Sequence, residues 1–110
     1  MRAPQRIYEI VNRLIEALEA AGYAVEEAYL FGSWARGDWL ETSDVDLVVV
    51  SRGFAGLGWA KRLDLINKLQ LRLRLDKYVE VLPYTPEEFR QKLEESIVLR
   101  DAKRYWIRVR

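Results

Sequence analysis

The sequence predicts an α/β (α+β) fold, a mixed β-sheet with helices packed on it. Three observations carry this expectation. Residues 4–21 repeat apolar side chains at helical spacing, Val45 to Val50 form an apolar run of strand length behind an acidic entry, and Thr85-Pro86-Glu87-Glu88 opens a further helix. Read along the chain, the elements alternate αβαβαβαβ in broad terms. At 110 residues, the length suits one domain, residues 1–110, with room for a real core and none for a separate substrate domain.

Each element has a local reason. Ile7, Ile10, Val11, Leu14, Ile15, Leu18 and Ala21 make one face of the first helix, with Pro4 tolerated at its start and Gly22 as a natural stop. Residues 27–31 read as a strand ending at Gly32. Ser33 to Arg36 suits a short helix with Ser33 as its N-cap, broken by Gly37-Asp38. Val45–Val50 should be buried on both faces. Arg52 to Gly58 holds three glycines and predicts a flexible surface loop.

From Trp59 a helix is expected, with Leu63, Ile66 and Leu69 or Gln70 on successive turns. Leu69, Leu71, Leu73 and Leu75 also alternate as in a strand, and the helix is placed to about Leu73. Tyr78 to Leu82 reads as a strand closed by Pro83. Thr85 then serves as N-cap, Pro86 fills the first helical position, and Glu88 completes a capping box. A helical turn over Val98–Lys103 and a last strand over Trp106–Val109 finish the chain. No internal repeat or low-complexity linker is visible.

Composition narrows the chemistry. Half of the residues are hydrophobic and the net charge is +1, so the chain should fold and does not require a nucleic-acid partner. Without cysteine there are no disulfides or thiolate metal sites, and without histidine any metal chemistry must run on carboxylates. No segment has a signal-peptide layout or the apolar length of a membrane span, so a cytoplasmic protein with no membrane partner is the expectation.

The most informative stretch is Gly32-Ser33, ten intervening residues, then Asp44-Val45-Asp46. Strand side chains alternate faces, so Asp44 and Asp46 should point the same way, roughly 7 Å apart. Two carboxylates on one side suit Mg²⁺, which takes oxygen ligands and usually binds substrate phosphates as well. Gly32 and Ser33 offer bare backbone and a hydroxyl where a phosphate can be cradled.

This pattern resembles the signature of the minimal nucleotidyltransferases of the DNA polymerase β superfamily. In that signature an apolar residue precedes Gly-Ser, and Asp, an apolar residue and Asp or Glu follow after a short interval. Phe31 and Val45 fill the apolar positions, and Leu47 to Val50 match the buried strand. Arg36-Gly37-Asp38, Ser43 and Tyr84 to Phe89 extend the similarity over nearly the whole chain.

The resemblance implies a nucleotidyltransferase-like sheet and attack of a hydroxyl on the α-phosphorus of a nucleoside triphosphate, with ATP the expected donor of AMP. It implies two divalent ions about 4 Å apart, Mg²⁺ or alternatively Mn²⁺. Asp44 and Asp46 would hold them, Gly32 and Ser33 would bind the triphosphate, and Glu80 would supply the third carboxylate. Glu80 stands where relatives often carry Asp. The resemblance also implies a helical HEPN-type partner, a toxin RNase that a small antitoxin of this kind modifies with AMP.

Plainer readings stand beside these. Glu80 can be an edge-strand acid facing water, and Asp76 competes with it as third ligand. Arg36 can contact the triphosphate or pair with Asp38 or Glu41. Trp34, Trp39, Trp59 and Trp106 can stack on a base, fill the core or, for the first two, meet a partner protein. The cluster of Arg100, Lys103, Arg104, Arg108 and Arg110 can attract RNA or an acidic partner, or be a solvated end. The whole chain can also be a non-catalytic module that neutralises a partner by contact.

Overall fold

The computed structural model describes residues 3–110. Helix α1 spans Gln5–Ala20, β1 Glu27–Phe31, α2 Ser33–Arg36, β2 Val45–Val50, α3 Trp59–Leu73, β3 Val79–Tyr84, α4 Pro86–Glu95, α5 Ile97–Ala102 and β4 Ile107–Arg108. The strands form one sheet in the order β3-β2-β1-β4. β1 runs antiparallel to β2 and β4, while β2 and β3 are parallel, so the sheet is mixed as the sequence predicts. Among the described residues no helix is long and apolar enough to cross a membrane.

Strand alternation sorts the side chains into two layers. Ala28, Leu30, Val45, Leu47, Val49, Val79 and Val81 share a core with Ile7, Ile10, Val11, Leu14, Ile15 and Leu18 of α1 and Ile66 and Leu69 of α3. Each fully buried aliphatic side chain here contributes about 1.5–3 kcal/mol of burial free energy. The opposite layer joins Tyr29, Val48, Val50 and Tyr84 to Phe89 of α4 and Leu99 of α5. Asp46 and Glu80 have the strand parity of this second layer.

The ends of α1 follow the sequence closely. Gly22 has φ 99, and the amides of Gly22 and Tyr23 bind the carbonyls of Glu19 and Leu18 at 3.0 Å each, closing the helix with a left-handed residue. In α4 the full capping box is present: Thr85 accepts from the Glu88 amide, and Glu88 accepts from the Thr85 amide.

Four local expectations are corrected. Gly32 rather than Ser33 is the residue before α2, and no side chain caps that helix. The glycine-rich segment is not merely a surface loop: Arg52–Phe54 form a 3-10 turn, and Phe54 is fully buried against Tyr23, ring centroids 5.8 Å apart.

On α3, Arg62 takes the buried turn expected for Leu63. Its guanidinium donates to Glu88 at 2.6 and 3.1 Å, to the Pro83 carbonyl at 3.0 Å and to the Leu57 carbonyl at 2.9 Å. A buried charge is tolerated because every side of it is bonded.

Finally, β3 continues through Pro83 to Tyr84. Tyr78 and Tyr84 carbonyls accept from β2 and the residue after it, so the alternate residues, Pro83 included, turn their backbone groups to the open edge. Proline loses no ladder bond there. Gln70 seals the start of the same edge, donating to the Val79 carbonyl and accepting from the Val79 amide, both at 2.8 Å.

Candidate functional site

β1, β2 and β3 place Phe31, Asp46 and Glu80 in one row across the sheet. Phe31 is the register partner of Asp46 on one side, and Glu80 is its partner on the other. Paired residues project to the same face. Here a cleft of about 660 Å³, walled in part by α5, opens on this face of the sheet. Phe31, Gly32, Ser33 and Arg36 line it from β1 and α2, and Asp46 and Glu80 from β2 and β3. Leu82, Ile97, Val98, Asp101 and Tyr105 complete the wall.

Gly32 is required twice over. Its φ of 74 lies in the left-handed region, and a Cβ at that position would overlap Oδ2 of Asp46. The bare backbone therefore presses directly on the carboxylate. The carbonyl of Gly32 starts α2, accepting from Ala35 at 3.1 Å and Arg36 at 3.0 Å, and Gly37 with φ 98 ends it. The first amides of so short a helix have no partner within it.

Asp46 is half-buried, and burial pushes its carboxyl up to about 6 from the ordinary 3.8. The charges of Glu80 and then Asp44 add to the rise, and Arg36 alone opposes it. The Arg36 guanidinium donates to the Tyr105 hydroxyl at 3.0 Å and to Asp38 at 3.3 Å, and lies 5.2 Å from the centre of the Tyr105 ring.

Of the residues singled out from sequence, Gly32, Ser33, Arg36, Asp46 and Glu80 meet in the cleft. Asp44 does not line it. β2 begins at Val45, leaving Asp44 exposed one residue before the strand, though its charge still reaches Asp46. Glu80 faces the cleft and water together. Asp76 is exposed in the bend before β3 and stands outside the cleft.

The tryptophans do not offer a base platform in the cleft. Trp34 is fully buried, stacks on Trp39 at 4.8 Å and donates from Nε1 to the Ser43 carbonyl at 3.1 Å. These contacts hold the loop that ends at Asp44. Trp106 stacks on Tyr29 at 4.2 Å, and Trp59 sits against Tyr84 at 5.5 Å.

The basic tail is divided: Arg110 pairs with Glu19 at 2.8 Å, Arg104 with Asp101 at 3.5 Å and Arg108 lies over Tyr29, while Arg100 and Lys103 are exposed without a carboxylate partner among the described residues. Sequence reasoning missed Tyr105, Ile97 and Val98. No local motif marks them, because only the return of the chain along the second layer brings them to the cleft.

The donor chemistry fits a divalent cation. It is oxygen only, it concentrates negative charge around a partly desolvated carboxylate, and it adjoins backbone too close for any side chain. Among the described residues no three acidic groups close a cage by themselves. Mg²⁺ does not need one, since it usually takes one or two carboxylates and completes its shell with water and substrate phosphates.

Comparison with known proteins identifies the family and the fold. The family model described as "Nucleotidyltransferase domain" matches residues 11–105. An inferred nucleotidyltransferase from Sulfolobus solfataricus is 25% identical, with a TM-score of 0.61 over 78% of this chain and 73% of its own. A toxin–antitoxin structure with AMP-PNP contains a chain 25% identical, with a TM-score of 0.60 over 90% of this chain and 71% of that one. BolA1 from Arabidopsis thaliana, 20% identical with a TM-score of 0.53 over 72% of this chain and 94% of its own, shares the fold alone. No curated protein matches the chain. The matched segment runs from the middle of α1 to Tyr105 and so takes in every wall of the acidic cleft; the chain belongs to the nucleotidyltransferase domain family.

Proposed function

We propose that the chain transfers AMP from ATP to a hydroxyl of a partner protein, of the helical HEPN type that the sequence resemblance implies. The observation that carries this reading is the contact of the Asp46 carboxylate with the bare Gly32 backbone, with Glu80 beside it in register. Acid pair and phosphate cradle are thereby adjacent.

Asp46 and Asp44 would hold two divalent ions, Mg²⁺ or alternatively Mn²⁺, with Glu80 as third ligand. When bound, such ions offset charge on the attacking and leaving oxygens. Gly32 and Ser33 bind the triphosphate through backbone amides and hydroxyl, and Arg36 adds a cation at the same mouth. The acceptor oxygen bonds to the α-phosphorus, the bond from that phosphorus to the bridging oxygen breaks, and pyrophosphate departs. Glu80, open to the cleft and to water, receives the proton of the acceptor hydroxyl. The toxin–antitoxin neighbour with AMP-PNP supports both an adenine nucleotide and a protein partner.

The test incubates the chain and a co-purified partner with Mg²⁺ and ATP labelled at the α-phosphate. Label should move to the partner, and Asp44→Asn or Asp46→Asn should lower the rate at least about a hundredfold. A second reading, a contact module without catalysis, is favoured by the exposure of Glu80 and the absence of a closed acidic cage among the described residues. It predicts an unlabelled partner that both variants still neutralise.

A further inference from the structure

Two large aliphatic side chains stand in water at the mouth of the cleft. Ile97 is 83% exposed and Val98 62%, although their neighbours Leu99 and Ala102 on the same short helix are buried. Both line the cleft together with Gly32 and Ser33, so the patch is continuous with the site. Beside Ile97 stand Arg100, Asp101 and Arg104, with Lys103 further round the helix, all exposed. Arg104 pairs with Asp101. Arg100 donates to the Glu94 carbonyl, and neither it nor Lys103 has a carboxylate partner among the described residues.

From this arrangement we infer that α5 is the docking surface for the acceptor, and that its occupant is a protein segment presenting apolar side chains flanked by carboxylates. The inference rests on the transferase reading of the cleft and adds the side from which the acceptor arrives. Apolar contact at the centre with arginine at the rim is the composition of a protein interface. Arg100, beside Ile97 and without a carboxylate partner among the described residues, favours an acidic partner and speeds its approach. RNA fits less well. Single strands are held by aromatic stacking, whereas Ile97 and Val98 offer no ring, and Tyr105, the aromatic beside them, is half-buried and held by Arg36.

Leu40 and Leu71 are comparably exposed, and Ile97 and Val98 differ from them in lining the cleft itself.

The test selects binders to the full chain from a displayed library of random 16-residue peptides, with counter-selection against Ile97→Ser/Val98→Ser. Recovered peptides should combine large apolar residues with Asp or Glu. Made synthetically, they should bind the double variant at least tenfold more weakly and Arg100→Glu at least threefold more weakly, with affinity falling as salt rises.

Basic peptides, or equal binding to wild type and variants, overturn the inference. So does a 12-nucleotide single-stranded RNA that displaces the peptides and binds more tightly than they do. A dimer that Ile97→Ser/Val98→Ser dissolves also overturns it by assigning the face to a second copy. Circular-dichroism melts of the variants establish that they fold. Mn²⁺-dependent binding of a fluorescent ATP analogue to the wild-type chain is measured separately. Its failure with peptide binding intact sinks the transferase reading, whereas lost peptide selectivity with nucleotide binding intact sinks only the docking surface.

Discussion

The sheet face under α1 and α3 and the face under α4 and α5 are built from the same strands, yet they are finished differently. Under α1 and α3, aliphatic side chains are buried along the full length of β1 to β3. Under α4 and α5, full burial is confined to Tyr29, Val48, Val50 and Tyr84, Phe31 and Leu82 are only partly covered, and the row Phe31–Asp46–Glu80 borders the cleft. The first face supplies stability. The second gives up part of its cover, keeps a carboxylate half out of water, and gains a place where chemistry can occur.

That contrast can be broken from either side. Leu47→Ala, on the closed face, should cost about 2–5 kcal/mol in urea unfolding, because Leu47 is fully buried and the space cannot refill. At a temperature where the variant is still folded, its binding of an ATP analogue should stay within about threefold of wild type, since the lesion lies across the sheet from the cleft.

Gly32→Ala acts on the open face. A side chain at φ 74 that also meets Asp46 should cost about 1–3 kcal/mol of stability. Mn²⁺-dependent nucleotide binding should fall more than tenfold, a larger loss of function per unit of stability than Leu47→Ala gives.

The smallest effect is in pH. Asp46, raised from 3.8 to about 6 by burial and by its acidic neighbours, holds its proton more tightly folded than unfolded. Metal-free thermal stability should therefore rise as pH falls from about 6 toward 3.8, and Asp46→Asn should abolish that rise. Glu88 works in the opposite sense. Its bond to Arg62 lowers its pKa below the ordinary 4.5, so its contribution is present above that value and is lost as pH falls through the folded value. Glu88 is substantially exposed, so this loss should be modest. A melting series across pH, with and without Asp46→Asn, separates the two.

Much of this was legible in the sequence because it depends on local period and local caps. The apolar repeat of α1, the run of β2 and the Thr85 capping box each reappear within a residue or two. The alternating leucines after Leu69 could not be resolved locally. They become helix because Leu69 and Gln70 find the core and the edge of β3, while Leu71 is left 78% exposed.

Arg62 in place of Leu63 was invisible for a related reason: a guanidinium can be buried only where carbonyls from Leu57 and Pro83 and the Glu88 carboxylate converge, and those come from three other segments. The Gly-Ser and acidic motif marked most of the site. Tyr105 and α5 were not marked, since their place depends on how the C-terminal segment returns to the sheet.

The pairing of Asp46 with Glu80 has one more consequence. Their spacing is dictated by the backbone ladder between two neighbouring strands, not by side-chain choice. If β3 slid along β2 by a single residue, Glu80 would turn into the oily layer and a valine would take its place before the nucleotide. On the proposed transferase reading, misfolded copies of this kind would be inert from birth, because accuracy of assembly and competence for chemistry would then depend on the same hydrogen bonds.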